Sequence, residues 1–171
     1  MDNEKREALA LRLIQGGALR PAPGETPPLV WQGEAALANG ELRGLLAAEL
    51  AETVRDHYPA AQALAGPWAG ELAGRLGLPA AGEQWPDRTV LVCGGTGELI
   101  PFLDRLEAMR RAGGSPAAAV ILNGREEEVR LRMDRADVRC HWLTDLESAG
   151  AAALQNGYLD FEDYCRLLPQ G

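Results

Sequence analysis

Between residues 41 and 57 apolar side chains return every third or fourth position, as Leu42, Leu45, Leu46, Leu50 and Val54. That period places them on one face of a helix, and Asn39 stands where it can cap the start. Ala8, Leu9 and Leu13 keep the same spacing among charged residues, which predicts a helix over 4–15 that Gly16 and Gly17 end. Residues 20–40 break the rhythm. Pro21, Pro23, Pro27, Pro28 and several glycines predict an irregular excursion there, with 29–31 as a short strand.

Further on, short continuous apolar runs replace the stripes. Residues 61–65 read as a strand, Gly66 and Pro67 as a turn, and 68–76 as a helix ended by Gly77. Strand 89–93 leads through a glycine turn into a helix that buries Leu99, Phe102, Leu103, Leu106 and Met109 and stops at Gly113 and Gly114, with Pro101 in its first turn. A strand over 117–122, a turn at Asn123 and Gly124, a strand over 138–142 and helices over 144–155 and 160–168 complete the pattern. Strands alternating with helices predict an α/β fold: a mostly parallel central sheet with helices on both faces, an N-terminal helix and two C-terminal helices. No internal repeat is visible. A chain of 171 residues is long enough for one well-filled core, so 1–171 is expected to form a single domain.

Charge narrows the partners. With 17 basic against 25 acidic residues the net charge is −8, which argues against nucleic acid and anionic membrane. The arginines of 125–139 are interleaved with Glu126, Glu127, Glu128, Asp134 and Asp137, so that stretch reads as a solvated face. Hydrophobic residues make up 46% of the chain, but no apolar run approaches the length that spans a bilayer. The opening residues show no apolar leader, and the cytoplasm is the expected compartment. Cys93, Cys140 and Cys165 form no close pair, and His57 and His141 are the only histidines. Neither a disulfide framework nor a metal site is expected.

The chemistry most open to argument lies at Gly94, Gly95, Thr96 and Gly97, after the apolar run 90–93. Glycines let a backbone approach a ligand closely, and amides opening a helix suit an anion, so these four are the candidate phosphate-binding residues. The charges oppose this. No Lys or Arg lies in the loop, and Glu98 follows it directly. The plainer reading is a tight strand-to-helix turn. Cys93 is either a nucleophile at a strand end or, more simply, a small apolar filler. Trp31, Trp68, Trp85 and Trp142 suit core and interface alike, with Trp85 expected to be partly exposed.

In this order the elements resemble the type I phosphoribosyltransferases, and among them the orotate phosphoribosyltransferases. The segment 10–20 is similar to that family's first helix and its Gly-Ala-Leu ending. Gly66, Pro67 and Gly70 fall in a stretch that resembles the pyrophosphate loop, and Thr96 with Gly97 in one that resembles the cradle of the ribose 5-phosphate. Residues 120–127 resemble the next strand and its Asp-Arg-Glu corner. In the tail, His141 to Leu146, Gly157 to Leu159 and Phe161 to Asp163 are similar to the family's last strand and helices.

The departures lie where the family does its chemistry. Two adjacent acids that hold the ribose hydroxyls are replaced by Cys93, Gly94 and Gly95. The basic mobile loop is replaced by residues 78–87, which hold no Lys, Arg or His before Arg88, and Ala69 stands where many relatives have lysine. The orotate-gripping segment is replaced by 21–32. Losing one electrostatic contact costs roughly 10²-fold to 10³-fold in rate, so losing several together leaves little turnover.

The expectation is a catalytically silent homologue, a pseudoenzyme with no catalytic residue assigned, acting on a nucleotide, a phosphosugar or a protein partner. The resemblance implies a homodimer, and Mg²⁺ only if the protein is active. One alternative is a working transferase of pyrimidine metabolism using Glu98 and Asp104. Another is a pyridine-nucleotide module, since 94–102 also resembles the nicotinamide-binding stretch of ferredoxin reductase-like flavoproteins. Gly66, Pro67 and Gly70 are then candidates for residual anion contact, or simply for a turn and close packing.

Overall fold

A computed structural model describes residues 2–169; residues 1, 170 and 171 of the expected domain lie outside the described residues. By its contacts the chain divides into two compact units, one made of 1–44 with 143–171 and the other of 45–142.

The first unit opens with α1 (Asn3–Gln15), whose N-terminus Asp2 caps by accepting the Lys5 amide at 2.8 Å. Leu9, Ala10, Leu13 and Ile14 form its buried stripe, and Gly17 leaves it with φ +83. The proline-rich excursion is more ordered than its composition suggests. Strands β1 (Leu19–Pro21) and β2 (Leu29–Trp31) pair antiparallel with Arg20 opposite Val30, and α2 (Gly33–Ala38) follows. Helix α3 (Gly40–His57) carries the boundary between the units, as does strand β6 (Arg139–Asp145).

The tail supplies α7 (Leu146–Gln155), capped by Asp145, and α8 (Phe161–Leu167), capped by Asp160. A Cβ at Gly150 would lie 2.8 Å from Leu167 Cδ1, so α7 and α8 approach as closely as glycine allows. Asp163 is buried, accepts the Gly24 amide at 2.9 Å and pairs with Arg166 at 2.7 Å, which fastens the excursion to α8. The Gly24 N–H, ahead of the other bonds to this carboxyl, holds it below the ordinary carboxylate range.

The second unit is built on a four-stranded parallel sheet in the order β3 (Ala63–Ala65), β4 (Thr89–Gly95), β5 (Ala117–Asn123), β6. Leu64 lies opposite Val90, Val90 opposite Ala117 and Gly95 opposite Leu122. Every residue of β4 is buried, and every residue of β5 except Asn123 is buried too. Central strands covered on both faces read as unbroken apolar runs, which is why these two were visible in the sequence. Helices α4 (Ala69–Leu76), α5 (Leu103–Arg111) and α6 (Glu127–Ala136) complete the unit. Leu91, Leu99, Leu103, Leu106, Val120 and Met133 meet in one core cluster, each fully buried leucine contributing about 2 kcal/mol. Arg132 ties α6 to α5 through Glu107 at 2.6 Å and Asp104 at 2.5 Å.

One expected helix is divided. Residues Thr96–Phe102 wind as a 3-10 helix and α5 begins only at Leu103. Pro101 has no N–H to donate back along an α-helix, and the tighter winding tolerates it in the first turns. Leu99, Leu103 and Leu106 are buried as expected, while Phe102 and Met109 are only partly so.

Candidate functional site

Parallel neighbours bring their ends together. Because Gly95 lies opposite Leu122, the turn after β4 sits beside the turn after β5, and Thr96 and Gly97 meet Gly124 and Glu126. The loop that could cradle an anion is occupied by the protein's own carboxylates. Glu98 accepts the Gly95 amide at 2.8 Å. The Thr96 hydroxyl donates to Glu126 and accepts the Gly124 amide at 2.8 Å. A Cβ placed on Gly97 would lie 3.0 Å from Glu126 Oε1, so this glycine gives its space to a side chain from the next turn.

Glu126 is therefore not part of a solvated face, as the stretch 125–139 was expected to be. Arg125 adopts φ 58, a left-handed conformation that turns the chain into α6 and sends Glu126 back towards Thr96. The signal was present in the order of elements. Adjacent parallel strands put the residues after β5 next to those after β4, and an acid there faces whatever the glycine loop would hold.

The second glycine turn is likewise engaged. Gly66 has φ +95, and a Cβ on it would lie 2.7 Å from the Val92 carbonyl oxygen, so only glycine lets this turn lie on β4. Trp68, buried behind it, donates its amide to Val92 O at 3.2 Å. Ala69 donates to Gly66 O at 3.1 Å and Glu71 to Trp68 O at 3.1 Å, while Pro67 has no amide proton. Gly70 has open space where a side chain would be. Close packing accounts for Gly66, and the amides of 68, 69 and 71 already have partners within the chain.

Residues 78–87 bond and pack against neighbouring elements at several points. Leu64 donates its amide to Pro79 O at 2.9 Å and Ala81 donates to Leu64 O at 2.7 Å, extending the pairing at β3. Trp85 packs near Phe102, the Arg105 guanidinium lies 3.9 Å from the centre of its ring, and Arg105 also donates to Glu83 O.

Cys93 is fully buried in the core cluster, and burial, with Glu98 nearby, pushes its thiol well above the usual range. Such a thiol packs as an apolar side chain. Cys140, partly buried against the same cluster, is pushed up to about 12 by burial. Of the tryptophans, Trp68 is buried, Trp31 and Trp85 are half-buried and Trp142 is exposed.

Beside the loop, between α6 and β6, runs a groove of about 750 Å³ lined by Thr96 and Glu126 and by Arg139 and Trp142. Its apolar floor includes Val129, Met133 and Val138, and its rim carries arginines and acids of both signs.

Structural comparison identifies the architecture. Orotate phosphoribosyltransferase from Aeropyrum pernix superposes with a TM-score of 0.63 at 21% identity, over 87% of this chain and 99% of that one. The fold is that of the type I phosphoribosyltransferases. UMP synthase from Leishmania donovani gives a TM-score of 0.68 at 13% identity, over 94% of this chain and 40% of that longer one. Adenine phosphoribosyl transferase from Trypanosoma brucei, solved with AMP, pyrophosphate and ribose-5-phosphate, gives 0.53 at 12% identity, over 90% and 82%. Comparison of the sequence with protein-family models and with curated proteins finds no match.

Within this phosphoribosyltransferase fold the residues do not fit a magnesium-assisted transfer. Cys93, Gly94 and Gly95 are buried strand residues without a carboxylate, Glu98 and Glu126 are bonded inside the loop, and Asp104 pairs with Arg132. No group of three or more His, Cys, Asp or Glu side chains able to hold a metal ion is gathered among the described residues. The strands ahead of β3 form a two-stranded hairpin among the described residues, not the β-barrel that a ferredoxin reductase-like module would place there. No helix there is long and apolar enough to cross a membrane.

Proposed function

We infer that the protein is a catalytically silent member of the phosphoribosyltransferase fold that acts by binding, and that its groove between α6 and β6 takes a nucleoside-like ligand. One observation carries the reading. Glu98 and Glu126 engage the Gly95 amide and the Thr96 hydroxyl, the groups that would otherwise receive a sugar phosphate. A phosphoryl dianion in that loop would meet two carboxylates instead of a cation, and like charges at such range repel strongly. The adjacent groove has an apolar floor, balanced charge and the exposed Trp142, which suit an uncharged base and sugar more than a diphosphate.

A working transferase that relies on Glu98 and Asp104 finds no support in the geometry, because Asp104 is directed to Arg132 on α6. Pairing of two copies and a place in the cytoplasm, both implied earlier, belong to the same reading. Light scattering at micromolar concentration tests the first.

The deciding experiment supplies phosphoribosyl pyrophosphate, Mg²⁺ and orotate, uracil or adenine, and follows pyrophosphate release. The expected result is no release above background. Turnover at an ordinary rate of about 1–10 s⁻¹ overturns the silent reading.

A further inference from the structure

At the opposite ends of the strands from the glycine loop, a depression of about 320 Å³ lies between the end of α3, the starts of β4, β5 and β6 and the end of α5. Three arginines line it, Arg88, Arg110 and Arg139, against one acid, Asp137. Asp137 is matched already, since Arg110 reaches it at 3.0 Å and also donates to Gly114 O at 3.2 Å. Among the described residues no carboxylate lies within ion-pairing distance of Arg88 or Arg139. Arg110 lies in the last turn of α5, where a cation answers the carbonyl end of a helix. Arg88 precedes β4 and Arg139 opens β6, so neither has that duty. In a chain of net charge −8, two unpaired guanidiniums facing one concavity run against the composition.

The wall behind them is preorganised. The Tyr58 hydroxyl lies 3.1 Å from the Ala118 carbonyl oxygen and 2.5 Å from His141 Nδ1, so one phenol bridges β5 and β6. His57 stacks on His141 with ring centres 3.7 Å apart, which joins the end of α3 to β6. The Arg139 guanidinium lies 6.0 Å from the centre of the Tyr58 ring.

We propose that this depression is a second ligand site that binds a phosphoryl dianion, the chemistry shared by free phosphate and a compact phosphate monoester, between Arg88 and Arg139. A guanidinium fork matches phosphate oxygens two at a time, and Ser115 at the exposed rim adds a hydroxyl. The site shares Asp137 and Arg139 with the edge of the α6–β6 groove but is remote from the loop of Glu98 and Glu126. It goes beyond the silent-transferase reading and stands or falls separately.

The test follows amide shifts of the full-length ¹⁵N-labelled protein titrated with inorganic phosphate, ribose 5-phosphate and AMP in separate arms, each to about 10 mM, which detects a Kd as weak as ~1 mM. Shifts at Arg88, Ser115, Ala117 and Arg139 support the site. Equal affinity in all arms identifies free phosphate as sufficient, and tighter binding of an ester identifies the monoester. Arg88→Gln combined with Arg139→Gln is expected to weaken binding about tenfold or more. Ser115→Glu, an exposed change that brings an acid to the rim, does the same should the double variant not fold. No shifts in any arm, or shifts undiminished in both variants, overturn the proposal. Shifts confined to 94–97 overturn it and count against the silent reading as well.

Discussion

The two ends of the sheet in residues 45–142 make opposite use of charge. Where β4 and β5 finish, the backbone has the form of an anion cradle, yet carboxylates from Glu98 and Glu126 satisfy its donors. Where β4 and β6 begin, Arg88 and Arg139 line a concavity whose one acid, Asp137, is paired with Arg110. Loop shape and loop chemistry are thus separable. Backbone geometry persists through packing, as at Gly66 against Val92, while the charge that gives a site its affinity resides in a few side chains that substitution can move elsewhere.

The contrast can be broken most forcefully at the packed end. Gly66→Val forces a Cβ into the Val92 carbonyl at positive φ and is expected to cost about 3 kcal/mol in urea unfolding. Gly70→Ala, on the open side of α4, should instead stabilise by about 0.5–1 kcal/mol. Equal effects at the two glycines would show that the turn does not depend on close approach. Next in size is Thr96→Val, which leaves Glu126 and the Gly124 amide without their shared hydroxyl and should cost about 1–2 kcal/mol. A neutral result would mean that Glu126 does not fill the loop in solution.

Proton linkage at His141 gives a smaller effect. Burial, then the neighbouring His57 and Arg139, hold its imidazole below the ordinary range, so the folded protein keeps it neutral while the unfolded chain protonates near pH 6.5. Below that pH the unfolded state binds more protons, so stability falls as the pH drops towards the folded value and is unaffected above about pH 7.5. His141→Gln should flatten that acid limb in urea melts, and an unchanged slope would place the linkage elsewhere. Least of all, Arg88→Gln with Arg139→Gln should change stability by less than about 0.5 kcal/mol, because no ion pair is lost. A cost well above that would reassign these arginines from ligand capture to holding the fold.

The alternation of strand and helix was legible because β4 and β5 are buried on both faces, which leaves runs such as 117–122 apolar throughout. The stripe of α3 and the glycine that ends α4 were equally plain, Gly77 standing at φ 64. Strand β1 and helix α2 were not legible, since Leu19, Arg20 and Pro21 are too few to show a period and gain their pairing from β2 ten residues on. The division at Leu103 depended on Pro101, whose missing donor is a local effect that a stripe of leucines conceals. At the loop, the sequence showed the glycines and the adverse charge of Glu98. It did not show Glu126, because the residues that meet there come from two strands, and only the register of β4 on β5 brings them together. The arginines of the other end were hidden for the same reason, being scattered across positions 88, 110 and 139.

The two acids in the loop hold different donors, Glu98 the amide of Gly95 and Glu126 the hydroxyl of Thr96. Replacing either alone would leave the other in place, so any gain in affinity for an anion would be strongly non-additive. A designer seeking anion binding at this loop would do better to exchange both turns as a unit.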